Sequence, residues 1–247
     1  MHKLSCGAVW GGIDNRDADL EAAGIRASLF ARSAQGGRGG DAHYVSVCEG
    51  DLLTRMVVAD VVGHGETVSD VSSWLYDVLC ERMNDPDGAA ILSELNGRAY
   101  AKGMSAMATA VIVGYYRTTH ELSYASAGHP AIYLWSAGDA SWKALSMNIE
   151  ADGPADLPFA VLKNPVFHQI SVPMKAGDRV CLYSDGILEG PSPSGEQFGA
   201  KKLEKVLNAN TGSKLPEIKK EIVRALDEHT AGRFDHDDVT LLLAEVI

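Results

Sequence analysis

Aspartates stand at the ends of several apolar runs in this chain, and that placement could build a cation site. Asp60 follows the β-branched stretch Met56-Val57-Val58-Ala59 and precedes Val61-Val62-Gly63-His64-Gly65, whose glycines allow a tight turn close to a ligand. Asp41 closes the glycine-rich segment Gln35-Gly36-Gly37-Arg38-Gly39-Gly40 and opens the next apolar run. Val180-Cys181-Leu182-Tyr183 ends in Ser184-Asp185-Gly186, and His236-Asp237-Asp238 leads into the apolar run 239–246. Any one of these aspartates alone reads as a turn former or a helix cap. Together they demand an electrostatic answer, because clustered carboxylates repel unless a proton or a cation lies between them. Hard oxygen donors without cysteine favour Mg²⁺ or Mn²⁺ over zinc or copper.

The elements that must position these acids follow from periodicity. Tyr44, Val45, Val47 and Cys48, a Glu49-Gly50-Asp51 turn and the run into Asp60 form a hairpin pattern. In an antiparallel pair the start of one strand and the end of the next share a rim, so Asp41 and Asp60 are expected to meet. Ahead of the hairpin, residues 1–24 are weakly periodic, and the first strand is expected to begin with Ile25, Ala27 and Leu29. Helical spacing of Val68, Val71, Leu75, Val78 and Leu79 predicts a helix over 66–83, and Ile91, Leu92, Leu95 and Ala99 predict another over 88–101. Both are placed on one sheet face. Stretches 107–116, 122–125 and 131–135 read as an antiparallel meander, and 169–172 and 180–183 as later strands. Helices over 200–208 and 216–229 are placed on the opposite face. The run after Asp238 is too apolar to meet water on either side, so it belongs in the middle of a two-sheet sandwich. Residues 147–166, with Pro154, Pro158 and Pro165, read as a long surface loop.

Composition narrows the function. The chain has 247 residues, 46% of them hydrophobic, enough for one large core, and a single domain over 1–247 is expected, with 1–24 as an N-terminal extension or first-strand region. A net charge of -11 repels nucleic acid and anionic membranes, so neither is expected as a partner. No run has the length of a spanning helix, the N-terminus lacks a continuous signal-type apolar segment, and a cytoplasmic location is expected. Cys6, Cys48, Cys80 and Cys181 form no paired metal or redox motif. The loop before Asp41 lacks the Gly-Lys-Ser/Thr ending of a nucleotide-binding P-loop.

Gly39-Gly40-Asp41, Asp60-Val61-Val62-Gly63-His64-Gly65, Ala127-Gly128-His129-Pro130, Tyr183-Ser184-Asp185-Gly186 with Glu189, and Asp237-Asp238-Val239-Thr240 occur in one order. In that order the chain, from about Ile25 to its end, resembles the SpoIIE-like phosphatases, a bacterial branch of the metal-dependent protein phosphatases of type 2C. Val62 stands where many relatives have serine, and Pro158-Phe159-Ala160 matches their Pro-Leu-Gly only loosely. The resemblance implies an α+β fold, a four-layer αββα sandwich of two mostly antiparallel sheets flanked by helix pairs. It implies a centre of two Mn²⁺ or Mg²⁺ ions that activates water for attack on a phosphoserine or phosphothreonine of a protein. Asp60 would bridge both ions, the Val61 carbonyl and Asp41 would serve one, and Asp185 and Asp237 would hold the other, with Asp238 as a neighbouring candidate. His64 could donate a proton to the leaving oxygen, or merely bond the loop backbone. Arg38 could approach the substrate phosphate, or remain a solvated loop arginine. Ser184 and His129 are assigned structural roles, His129 that of fixing its turn.

Relatives in this branch often act on anti-sigma-factor antagonists in bacterial partner switching, which makes such a phosphoprotein the expected partner; the sequence leaves the oligomeric state open. Two alternatives keep the same fold: a pseudophosphatase that binds a phosphoprotein without turnover, and a hydrolase of small phosphate esters. Loss of site acids would mark the former, and none is lost.

Overall fold

Period-two alternation sorts the side chains of strand Leu53–Val61 onto two apolar faces: Val57 and Ala59 meet the helices, while Met56 and Val58 meet a second sheet. In the computed structural model, which describes residues 1–63, 68–145, 147 and 154–247, this strand is β6. It pairs with β5 (Arg38–Cys48) and with β7 (Ala108–Tyr116), and Asp41 lies directly opposite Asp60 in the register, as the hairpin pattern required. β8 (Glu121–Ala127), β11 (Gln169–Pro173) and β2 (Val9–Asp14) complete a six-stranded sheet in the order β11-β8-β7-β6-β5-β2.

The second sheet has seven strands. β1 (His2–Lys3), β3 (Arg16–Ala22), β4 (Ile25–Arg32), β13 (Val239–Val246), β12 (Arg179–Tyr183), β9 (Tyr133–Trp135) and β10 (Lys143–Ala144) lie side by side in that order. All pairings are antiparallel except β1 with β3. β13 sits between β4 and β12, with Leu242 and Ala244 turned to the other sheet and Leu241 and Leu243 to the helices. Each fully buried leucine of this kind stabilises the fold by about 1.5–3 kcal/mol.

Helices α1 (Ser69–Glu81) and α2 (Gly88–Lys102) cover the outer face of the six-stranded sheet through Leu75, Leu79, Ile91 and Leu95. Beyond the short helix α3 (Asp185–Glu189), α4 (Gly199–Ala209) and α5 (Leu215–His229) cover the other sheet through Leu203, Leu207, Ile218 and Ile222. The order of layers is αββα. Fully buried Arg55 of β6 fastens the end of α1, donating to the carbonyls of Arg82 and Met83 at 2.8 Å each and to that of Asp85. No helix among the described residues is long and apolar enough to cross a membrane.

Three expectations need correction, and one element was not anticipated. The first strand does not start at Ile25, since β1, β2 and β3 precede it. Gly11 and Gly12 thin the apolar signal of β2, and Gly11 is required because a Cβ there would lie 2.0 Å from the His43 carbonyl oxygen. Strand 131–135 does not continue the meander: β9 crosses to the other sheet and pairs with β12. The 147–166 segment is not simply a surface loop. Its residues 148–153 lie outside the described residues, but Phe159 is fully buried, its N–H bonds the Ala108 carbonyl at 2.8 Å, and Ala160 takes the left-handed φ of 65°. Glycine adopts that conformation most readily, so an alanine here is held by its surroundings. Finally, α3 is a helix too short to leave a periodic signal.

Candidate metal centre

Because Asp60 continues the alternation of Met56 and Val58, its side chain points between the sheets at the end of β6, and Asp41 does the same at the start of β5. The alternative of Asp60 as a helix cap is excluded, since α1 begins at Ser69 after Val68. Across the gap, β12 ends at Tyr183 and delivers Asp185 as the first residue of α3, while β13 begins just after Asp237 and Asp238. Two antiparallel strand pairs from different sheets, β5–β6 and β12–β13, thus bring their acidic ends to one rim.

Burial, then the charges of Asp41 and Asp185, then a carboxyl–carboxyl hydrogen bond with Asp185, and then Asp237 all push the Asp60 carboxyl well above the usual range. Asp41 is pushed up to about 8, first by burial, with Asp238 and Asp237 adding and the hydroxyls of Ser184 and Thr240 opposing. Ser184 donates from Oγ to Asp41 Oδ2 at 2.7 Å and accepts the Thr240 N–H at 2.9 Å, the structural role expected of it. The donor set is hard, anionic and strained by its own charge, which suits a divalent cation. Among the described residues no three such side chains are already drawn together as a closed ligand set, so the fit is one of donor chemistry and charge.

Asp238 faces differently. Its carboxylate accepts the N–H of Ala34 at 2.7 Å and that of Gly40, so it anchors the segment before Asp41. A Cβ at Gly39 would meet that carboxylate at 3.0 Å, and one at Gly40 would meet the Gly63 carbonyl oxygen at 2.9 Å, which explains both glycines by close approach. Asp237 Oδ1 accepts the N–H of Asp238 at 2.8 Å. Val61 ends β6, and Arg38 opens β5 opposite Asp14, with its carbonyl accepting from Ser33. His64 lies outside the described residues.

His129 does more than fix its turn. It is buried, its Nδ1 lies 2.7 Å from Thr109 Oγ1 and its Nε2 3.0 Å from the Tyr183 carbonyl oxygen. A carbonyl can only accept, so Nε2 carries the proton and Thr109 donates to Nδ1. Thr109 is the register partner of Asp60, and Tyr183 immediately precedes Ser184-Asp185, so this imidazole ties the two halves of the rim together. Burial lowers its pKa to about 4, which keeps it neutral. Sequence reasoning also passed over His43, which shares the inward face with Asp41 at a spacing of two; burial, helped by Arg16, lowers its pKa to about 3.

A pH dependence follows. Between its ordinary value of 3.8 and about 8, the folded cation-free protein keeps the Asp41 proton while the unfolded chain loses it. The folded state then binds more protons, so stability falls as pH rises through that window. The melting temperature of the cation-free protein is expected to drop between about pH 6 and pH 8.5, and saturating Mn²⁺ to flatten the slope. Melting curves in the two buffers, with and without Mn²⁺, check this.

Comparison with known proteins bears on the family and the fold. The family model for stage II sporulation protein E (SpoIIE) matches residues 51–247. The phosphoserine phosphatase RsbU of Bacillus subtilis is 26% identical over 194 residues, covering 76% of this chain and 54% of that protein. The chain spans about half the length, or less, of the curated relatives it matches. Among solved structures, that of the RsbU and RsbW domains of Rv1364c from Mycobacterium tuberculosis superposes with a TM-score of 0.71 at 22% identity, covering 99% of this chain and 62% of that one. RsbX in complex with magnesium gives 0.67 at 18% identity, covering 94% and 100%. At these identities the structures show a shared fold.

Proposed function

The chain belongs to the SpoIIE family, and from that premise we propose that it is a divalent-cation-dependent phosphatase acting on phosphoserine or phosphothreonine in a protein. The observation that carries this reading is the register pairing of Asp41 with Asp60 at a rim that Asp185 and Asp237 also reach. Asp60, on which Asp41, Asp185 and Asp237 all act, would be shared by two Mn²⁺ or Mg²⁺ ions, with Asp41 and the Val61 carbonyl helping to hold one and Asp185 and Asp237 the other. Bound there, the ions would supply Lewis-acid stabilisation of phosphoryl charge and lower the pKa of an attacking water. The chain's own task is to hold the carboxylates against their repulsion. Ser184 fixes Asp41, His129 fixes the approach of Asp185 to β7, and Asp238 anchors the glycine segment and acts as a support rather than a ligand. Magnesium in the RsbX complex supports the choice of cation class.

For substrate we propose a folded phosphoprotein of the anti-sigma-factor-antagonist kind, inside a bacterial cytoplasm. The phosphoserine activity in the name of RsbU supports the phosphorylated residue. Remote contacts with a protein raise turnover in a way that a small ester cannot reproduce. Hence kcat/KM for a phosphoserine-bearing protein domain is expected to exceed that for p-nitrophenyl phosphate by about a hundredfold or more. Equal values would remove the protein-substrate part of the reading, and binding without release would assign the chain to the pseudophosphatase alternative.

A further inference from the structure

His43 is 1% exposed, and both its ring nitrogens are buried without a hydrogen-bond partner among the protein atoms. The same holds for Oδ1 of Asp41 and Oγ1 of Thr240. All three residues line one small, partly open space between the sheets, behind the acid rim, with Ile13 and Ala31 as part of its apolar wall and Asp238 at its polar side. About 10 Å³ of it is open to the centre of a water-sized sphere, close to the smallest volume that takes one water. Thr240 comes near enough to Asp41 to favour its charged form, yet its hydroxyl and Asp41 Oδ1 complete no direct hydrogen bond.

Building on the phosphatase reading, we propose that His43 is a positioning residue for Asp41, acting through a single buried water that bridges its imidazole, Asp41 Oδ1 and the Thr240 hydroxyl. One ring N–H donates to the water, the water donates to Oδ1, and the Thr240 hydroxyl exchanges a bond with it. That gives three partners, within the two to four that hold a buried water in place. Ser184 already holds Oδ2 from the other side, so both oxygens of Asp41 are fixed before a cation arrives. Once the ion displaces the Asp41 proton, the carboxylate has about four acceptor sites, of which two remain for the ion. Partners that orient a metal-binding carboxylate in this way are worth about 10–100-fold in affinity.

The test is titration calorimetry of the full chain with Mn²⁺ alone, for wild type, His43→Phe and His43→Gln, with melting curves to check folding. His43→Phe keeps the ring shape without its nitrogens and is expected to weaken Mn²⁺ binding about tenfold or more, while His43→Gln restores a donor and is expected to come back to within about threefold. Unchanged affinity in His43→Phe, or no recovery in His43→Gln, overturns the proposal. Should His43→Phe fail to fold, a crystal structure of the wild type decides: an ordered water bonded to His43 and Asp41 is expected, and a dry cavity overturns the proposal. A folded wild type that takes up no Mn²⁺ overturns the phosphatase reading together with this one, whereas normal wild-type binding with an indifferent His43→Phe overturns this one alone.

Discussion

Asp60→Asn is expected to abolish cation-dependent phosphate release, by at least about a thousandfold or roughly 4 kcal/mol of barrier, and to leave the cation-free protein as stable as wild type or more so. Both halves have one cause. Asp60 is crowded by Asp41, Asp185 and Asp237, and without a cation every one of those influences opposes its charge. An amide of the same shape removes the repulsion and with it the ligand. The wild type should gain about 2.7 kcal/mol from Mn²⁺ at a hundred times its dissociation constant, roughly 5–11 °C in melting temperature for a chain of this size. Asp60→Asn should gain little of that shift. Melting curves with and without Mn²⁺, run beside the activity assay, separate lost binding from lost folding. A variant that melts well below wild type in the absence of cation would contradict this account.

Gly186→Ala is expected to be the more damaging of two glycine changes at the acid rim. A Cβ at Gly186 would stand 1.9 Å from the Asp238 carbonyl oxygen, a distance no backbone contact tolerates. The carbonyl of Gly186 meanwhile receives His236 Nε2 at 2.8 Å, so the start of α3 and the start of β13 are clamped face to face. Making room means moving Asp185 away from Asp237 and Asp238. Overpacking of this kind costs about 1–3 kcal/mol, which for this size corresponds to a melting-temperature loss of roughly 2–12 °C. Mn²⁺ affinity should fall about tenfold or more, because two of the proposed ligands lose their spacing. Gly39→Ala, whose Cβ would meet the end of the Asp238 side chain at 3.0 Å, is expected to do less, since a carboxylate can turn where a backbone carbonyl cannot. Calorimetry and melting curves on the two variants check the order; equal effects would contradict it.

The hairpin that pairs Asp41 with Asp60 was legible because its information is local: a period of two, a turn, and an acid at each end. The same holds for the acid that begins α3 and those that precede β13. What could not be read involves partners far apart in sequence. Ser184 bonds Asp41 across 143 positions, and Asp238 bonds Ala34 across 204. Nothing local distinguishes an aspartate that holds a cation from one that holds a backbone segment. β3 was missed although Ala18, Leu20 and Ala22 alternate with charged residues, because small alanines weaken the apolar signal. β9 was placed in the meander because a three-residue strand does not declare its sheet; Tyr133 settles the matter only by packing beneath α4 and α5. The inward aim of His43 was implicit in its spacing from Asp41, but its lack of partners required the second sheet to be in place.

The most direct test of the central claim is phosphate release from a phosphoserine-bearing protein by the wild-type chain, measured with Mn²⁺ or Mg²⁺ and again with excess chelator. Release that appears only with cation, disappears with chelator and is absent in Asp60→Asn is the predicted result. Release indifferent to chelator, or none from folded protein across a range of both cations, would contradict the two-cation phosphatase assigned to this rim.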